Sequence, residues 1–79
     1  MTTNVLLEEV AQGMTQAVVT RWYATEGDAV NEGDPLLEVE SDKVTVEVPA
    51  PTSGRLDQVV ALVGDEVPVG AILATIEAQ

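Results

Sequence analysis

Glu26-Gly27-Asp28-Ala29-Val30-Asn31-Glu32-Gly33-Asp34-Pro35-Leu36-Leu37-Glu38-Val39-Glu40 and Val63-Gly64-Asp65-Glu66-Val67-Pro68-Val69-Gly70-Ala71-Ile72-Leu73-Ala74-Thr75-Ile76-Glu77 are two copies of one pattern at a constant offset of 37 residues. Gly27 meets Gly64, Asp28 meets Asp65, Val30 meets Val67 and Gly33 meets Gly70. Leu36 meets Leu73, Val39 meets Ile76, and upstream Val19 meets Leu56 and Trp22 meets Val59. Matching turn and apolar positions in register mark an internal repeat whose units cannot each bury an apolar face alone. Each copy reads as strand, Gly-Asp turn, short strand, Gly turn, strand. The glycines supply positive φ or close approach, and the aspartates can bond their own backbone across a turn.

Working outward, Val44-Thr45-Val46-Glu47-Val48 alternates with three valines on one face, and Leu37-Glu38-Val39-Glu40 alternates in the same way. No helical period competes. These patterns predict strands at 4–8, 17–23, 36–41, 44–49, 54–60 and 72–77, with short ones near 29–30 and 66–67. They make an all-β fold of two four-stranded sheets facing each other across one core, related by a pseudo-two-fold. Residues 1–79 are read as a single domain.

Composition narrows the chemistry. The apolar residues, 46% of the chain, are mostly Val, Leu, Ile and Ala, with one Trp, one Tyr and no Phe. Branched side chains suit a pleated surface. There is no Cys and no His, so a thiol nucleophile, a disulfide, the commonest general base and the commonest nitrogen ligand are all excluded. No Asp-rich calcium loop is present. No metal site and no self-contained catalytic constellation are expected. Fourteen acidic against three basic residues, a formal charge of −11, disfavour nucleic acid. No apolar run reaches membrane-spanning length and no signal peptide is visible, so the expected location is cytoplasmic.

Lys43 is the only lysine; the other bases are Arg21 and Arg55. Guanidinium stays protonated, so chemistry that needs a side-chain amine has one address. Glu40-Ser41-Asp42-Lys43-Val44 joins two strand-like segments through very few residues, which predicts a tight turn. In the second copy the place equivalent to Lys43 is position 80, just past the last residue. The hairpin of one copy therefore corresponds to the chain termini of the other, and a group on Lys43 is expected to project away from them.

The chain resembles the lipoyl domains of dihydrolipoamide acyltransferase components of 2-oxo acid dehydrogenase complexes, in the biotinyl/lipoyl attachment family. The resemblance runs through Gly13-Met14-Thr15, Val19-Thr20-Arg21-Trp22, Glu26-Gly27-Asp28, Glu32-Gly33-Asp34, Glu38-Val39-Glu40-Ser41-Asp42-Lys43-Val44, Glu47-Val48-Pro49-Ala50-Pro51, Gly54 and Gly64-Asp65. It implies a flattened barrel-sandwich hybrid and a non-catalytic carrier, with Lys43 holding lipoic acid in amide linkage as a swinging arm for acyl groups and reducing equivalents. The implied partners are a lipoate-protein ligase or lipoyl transferase, a thiamin diphosphate-dependent 2-oxo acid decarboxylase, the acyltransferase catalytic domain and dihydrolipoyl dehydrogenase.

It also implies roles around the arm. Glu40, Ser41, Asp42 and Val44 flank it, and the loop after the first strand, with Glu8, Glu9, Gln12, Gly13 and Met14, contributes to partner recognition. Gly33, Gly54 and Gly64 are read as backbone requirements, and Trp22 and Tyr23 as packing residues. The alternative reading is the biotin carrier domain of a carboxylase. Biotin carriers usually place methionine on both sides of the lysine, where this chain has Asp42 and Val44.

Overall fold

The computed structural model describes residues 1–9, 12–42 and 44–78. Eight strands follow in chain order: β1 (Thr2–Leu6), β2 (Gln16–Trp22), β3 (Ala29–Val30), β4 (Pro35–Glu40), β5 (Thr45–Pro49), β6 (Gly54–Val59), β7 (Glu66–Pro68) and β8 (Ile72–Ala78). They form two four-stranded sheets, ordered β1-β8-β6-β3 and β5-β4-β2-β7, and every pairing is antiparallel. The body measures 34 × 21 × 17 Å. All eight expected strands are present, and their limits differ by no more than two residues. β1 starts at Thr2 because it lies on β8 from Thr2↔Glu77 onward, and it ends before Leu7, whose N–H turns to the Ala71 carbonyl. Ser41 and Val44 fall outside β4 and β5 because they close the hairpin between those strands.

The repeat becomes a symmetry of pairing. β2, β3 and β4 of one sheet-building unit correspond to β6, β7 and β8 of the other, and β5 lies on β4 as β1 lies on β8. The irregularities repeat as well. β2 shifts register on β4 between Val19 and Arg21, and β6 shifts on β8 between Leu56 and Gln58, 37 residues on. A second pair of shifts leaves Leu36 and Leu73 as extra residues in β4 and β8. At these bulges two consecutive side chains turn inward, so Leu36-Leu37 and Leu73-Ala74 are all fully buried. Each pair thus adds a core residue that simple alternation would have put outside. With Val5, Leu7, Val19, Val39, Leu56 and Ile76 they form one continuous core between the sheets.

Four tight turns share one construction. In Thr25–Asp28, Asn31–Asp34 and Leu62–Asp65 the last N–H donates to the first carbonyl, at 2.9–3.0 Å. The third residue is a glycine with φ of 92–96°. The closing aspartate then accepts the N–H of the first residue, at 2.9–3.1 Å. In the fourth turn, Pro68–Ala71, proline has replaced the donor and alanine the acceptor. Losing both partners together leaves no unsatisfied group, which is why the turn survives without its aspartate.

These turns also lock the copies together. Gly27 N–H donates to Leu56 and Leu56 N–H to Asp28; Gly64 N–H donates to Val19 and Val19 N–H to Asp65. Each copy therefore completes the backbone bonding of the other.

Candidate functional site: the β4–β5 hairpin

β4 and β5 run together from Pro35↔Pro49 to Glu40↔Thr45, and Ser41 and Val44 continue the hairpin. Ser41 N–H donates to the Val44 carbonyl at 2.8 Å. Val44 N–H donates to the Ser41 hydroxyl at 3.2 Å, and that hydroxyl is also 3.2 Å from the Val44 carbonyl. Two residues, Asp42 and Lys43, join this closing pair in the sequence. Lys43, the residue on which the sequence reading centres, lies outside the described residues. Its neighbours are placed: Glu40 and Asp42 are exposed, and Ser41 and Val44 half-buried. Along β5 burial declines toward the hairpin, from buried Val48 to half-buried Val46 and Val44, as the strand leaves the core.

The end of the loop after β1 comes to the same place. Gly13, Met14, Thr15 and Gln16 face Ser41 and Asp42 across a cleft of about 70 Å³. The long-range pairing of β2 on β4 causes this, because Val18 lies opposite Glu40 and the residues preceding Val18 must run beside the hairpin. Gln16 is fixed further by its amide, which donates to Glu66 at 2.9 Å. Within the loop, Gly13 N–H donates to the Glu9 carboxylate at 3.1 Å. Glu8, Glu9 and Gln12 are exposed. Glu8 lies apart from the cleft, beside Val46, Glu47 and Val48 of β5. Met14 differs from the surface role expected of it: only 5% exposed, it belongs to the core and anchors the loop by apolar burial. The contribution of Thr15 and Gln16 to the cleft depends on strand pairings that no local motif announces.

Trp22 is a packing residue. It lies against the core, and its indole N–H donates to the Ala61 carbonyl at 2.8 Å. Tyr23 has a more specific setting. Glu38 and Glu47 stand directly opposite each other on β4 and β5, a repulsive placement for like charges. The Tyr23 hydroxyl donates toward Glu47 at 3.1 Å and Glu38 at 3.4 Å, while Thr20 donates to Glu38 at 2.8 Å. The Arg21 guanidinium lies 5.7 Å from the tyrosine ring centre. Loss of solvation, the hydrogen bond to Glu47 and the charge of Glu38 raise the phenol pKa above its ordinary value.

Because the folded state favours the neutral phenol, this contribution to stability is complete below the unfolded-state pKa. It is lost as pH rises through the folded-state value. Tyr23 is the only tyrosine, so ultraviolet titration of phenolate reads it alone. We expect Glu47→Gln to lower its midpoint; an unchanged midpoint would remove Glu47 as a cause.

Among the described residues no group of three or more His, Cys, Asp or Glu side chains is placed to hold a metal. The fold among the described residues is a helix-free pair of four-stranded sheets with a short hairpin leaving the core. The chain belongs to the biotinyl/lipoyl attachment family: the family profile described as "biotin-requiring enzyme" matches residues 4–76.

Over 78 residues it is 44% identical to the dihydrolipoyllysine-residue succinyltransferase component of the 2-oxoglutarate dehydrogenase complex of Bartonella vinsonii subsp. berkhoffii. That match takes in 99% of this chain and 19% of the relative, so the chain spans about a fifth of that protein's length. The solution structure of the lipoyl domain of the 2-oxoglutarate dehydrogenase complex from Azotobacter vinelandii superposes with a TM-score of 0.75 at 26% identity. It covers 96% of this chain and 98% of that one. Kluyveromyces lactis urea carboxylase superposes with a TM-score of 0.83 at 25% identity, over 98% of this chain and 6% of the carboxylase. The closer superposition on the carboxylase reflects the fold that both branches of the family share. The sequence likeness favours the acyltransferase components, and the chain corresponds to their non-catalytic carrier domain.

Proposed function

We propose that the domain is a lipoyl carrier in which Lys43 bears lipoic acid in amide linkage and serves a 2-oxo acid (or acetoin) dehydrogenase complex. The observation that carries this reading is the β4–β5 hairpin, closed by Ser41 and Val44 around a two-residue connection that contains the only lysine. An attachment site needs one amine on a rigid support, and a hairpin continuous with a packed sheet provides the support. Bound lipoic acid supplies the dithiolane for redox and acyl-thioester chemistry, so the protein requires neither Cys nor His.

The role of the chain is then presentation. The packed sandwich supports the hairpin that Ser41 and Val44 close, and the hairpin supplies the attachment point. Tethering within a complex raises the arm's effective concentration at each active site. The partners follow from this role: a lipoate-protein ligase or lipoyl transferase, a thiamin diphosphate-dependent decarboxylase, an acyltransferase catalytic domain and dihydrolipoyl dehydrogenase. Of the loop expected to serve recognition, residues 13–16 are brought to the hairpin by β2, and with the acidic flanks Glu40 and Asp42 they are the surface those enzymes would meet.

A biotin carrier is the second reading, favoured by the superposition on urea carboxylase. Against it stand the lysine's neighbours, Asp42 and Val44. The chain's two methionines are Met1 and the core residue Met14, neither of them beside Lys43. Separate incubations with lipoate ligase and biotin ligase, each followed by intact-mass measurement, test the choice. We expect one lipoyl adduct and no biotinyl adduct. Biotinylation with no lipoylation would overturn the proposal.

A further inference from the structure

In an antiparallel hairpin the closing pair ordinarily exchanges two backbone hydrogen bonds. Here one of the two is made by a side chain: Ser41 N–H reaches the Val44 carbonyl, but the Val44 N–H is received by the Ser41 hydroxyl. That hydroxyl sits within hydrogen-bond distance of the Val44 carbonyl as well, so both polar groups of the Val44 backbone meet Ser41. On the outer side, Ser41 and Asp42 form one wall of the cleft whose other wall is Gly13–Gln16. Ser41 thus ties the two arms of the hairpin at the point where the chain leaves the sheet.

We propose that Ser41 is a positioning residue for acylation of the lysine two places on: its hydroxyl fixes the hairpin geometry that the modifying ligase must meet. The inference rests on the lipoyl-carrier reading. Without the hydroxyl, the Val44 N–H must pair with water or with a reoriented Ser41 carbonyl, and either choice changes how Ser41 and Val44 close the hairpin. A displacement of about 1 Å in a reacting group is enough to cost up to about a hundredfold in rate.

Thr and Val are close to isosteric and differ in the hydroxyl, so Ser41→Thr and Ser41→Val separate hydrogen bonding from bulk; Ser41→Ala adds the variant without branching. Lipoylation kinetics with lipoate ligase, thermal midpoints, and chemical acetylation of Lys43 by an N-hydroxysuccinimide ester would be measured on each. The expected result is a tenfold or greater fall in kcat/KM for Ser41→Val and Ser41→Ala, carried mainly by kcat. Ser41→Thr stays within about threefold of the parent, all variants remain folded at the assay temperature, and chemical acetylation is equal throughout.

Lipoylation of Ser41→Val at the parent rate would overturn the inference, as would equal losses in Ser41→Thr and Ser41→Val. Parallel losses in the chemical and enzymatic reactions would also overturn it, because they would show that the amine's reactivity had changed and not its presentation. If the parent chain itself accepts no lipoate, the carrier reading fails first, and that outcome is visible before any variant is made.

Discussion

Lys43→Arg remains folded and is not modified by lipoate ligase. The bonds that close the hairpin belong to Ser41 and Val44, and the core lies among side chains of the two sheets. Exchanging one basic side chain for another leaves the Ser41–Val44 bonds and the core residues unchanged and should alter stability by less than about 0.5 kcal/mol. The chemical consequence is total. Guanidinium stays protonated at any pH the ligase tolerates and presents no free amine, and no second lysine can substitute. Intact mass after exhaustive incubation should show only the unmodified variant, beside complete conversion of the parent, with peptide mapping to locate the adduct. A lipoyl adduct on the variant would mean that another amine is the attachment point.

Gly54→Ala produces the largest expected loss of stability among single small substitutions. Gly54 is buried at the start of β6, paired with Val30 on one side and Ala78 on the other. A Cβ added there would stand 2.9 Å from the Ala78 Cα and closer still to the Glu77 carbonyl oxygen. Both obstacles are backbone of the neighbouring strand, so relief requires moving β8 away from β6 and not merely turning a side chain. Overpacking of this kind costs about 3 kcal/mol, which for a domain of this size lowers Tm by about 15 °C.

Gly70→Ala is the internal comparison. Its position is open, with nothing within 4 Å of the added carbon, but its φ of 95° is unfavourable to any L side chain. That strain costs about 1–2 kcal/mol, so Gly70→Ala should melt well above Gly54→Ala. Equal midpoints in thermal unfolding followed by circular dichroism would contradict the close-approach account of Gly54.

The contrast shows where sequence reading was sufficient. Gly33, Gly54 and Gly64 are all legible as backbone requirements, but the reasons differ. Gly33 and Gly64 serve local torsion in turns whose Gly-Asp signature is contained in four adjacent residues. Gly54 answers to Glu77 and Ala78, more than twenty residues away, and only the pairing of β6 with β8 reveals it. The consecutive buried pairs Leu36-Leu37 and Leu73-Ala74 depart from strict alternation for a similar reason. The bulges that turn both side chains inward are properties of strand pairs and not of single strands. Met14 follows the same rule: its neighbours Gly13 and Thr15 suggest a surface loop, yet the sheets close over its side chain.

Two kinds of information therefore divide the account of this protein. By itself the sequence determined the repeat, the eight strands, the turns and the single amine, because each depends on torsion preferences, side-chain periodicity or composition. These act over a few residues or are simply counted. Only the tertiary structure decided which strands are neighbours, and with that the approach of residues 13–16 to the hairpin, the glutamates that share the Tyr23 hydroxyl and the crowding at Gly54. Those contacts join residues far apart in the chain, and their geometry is fixed by register and bulges in a packed sandwich, which no local window of sequence contains.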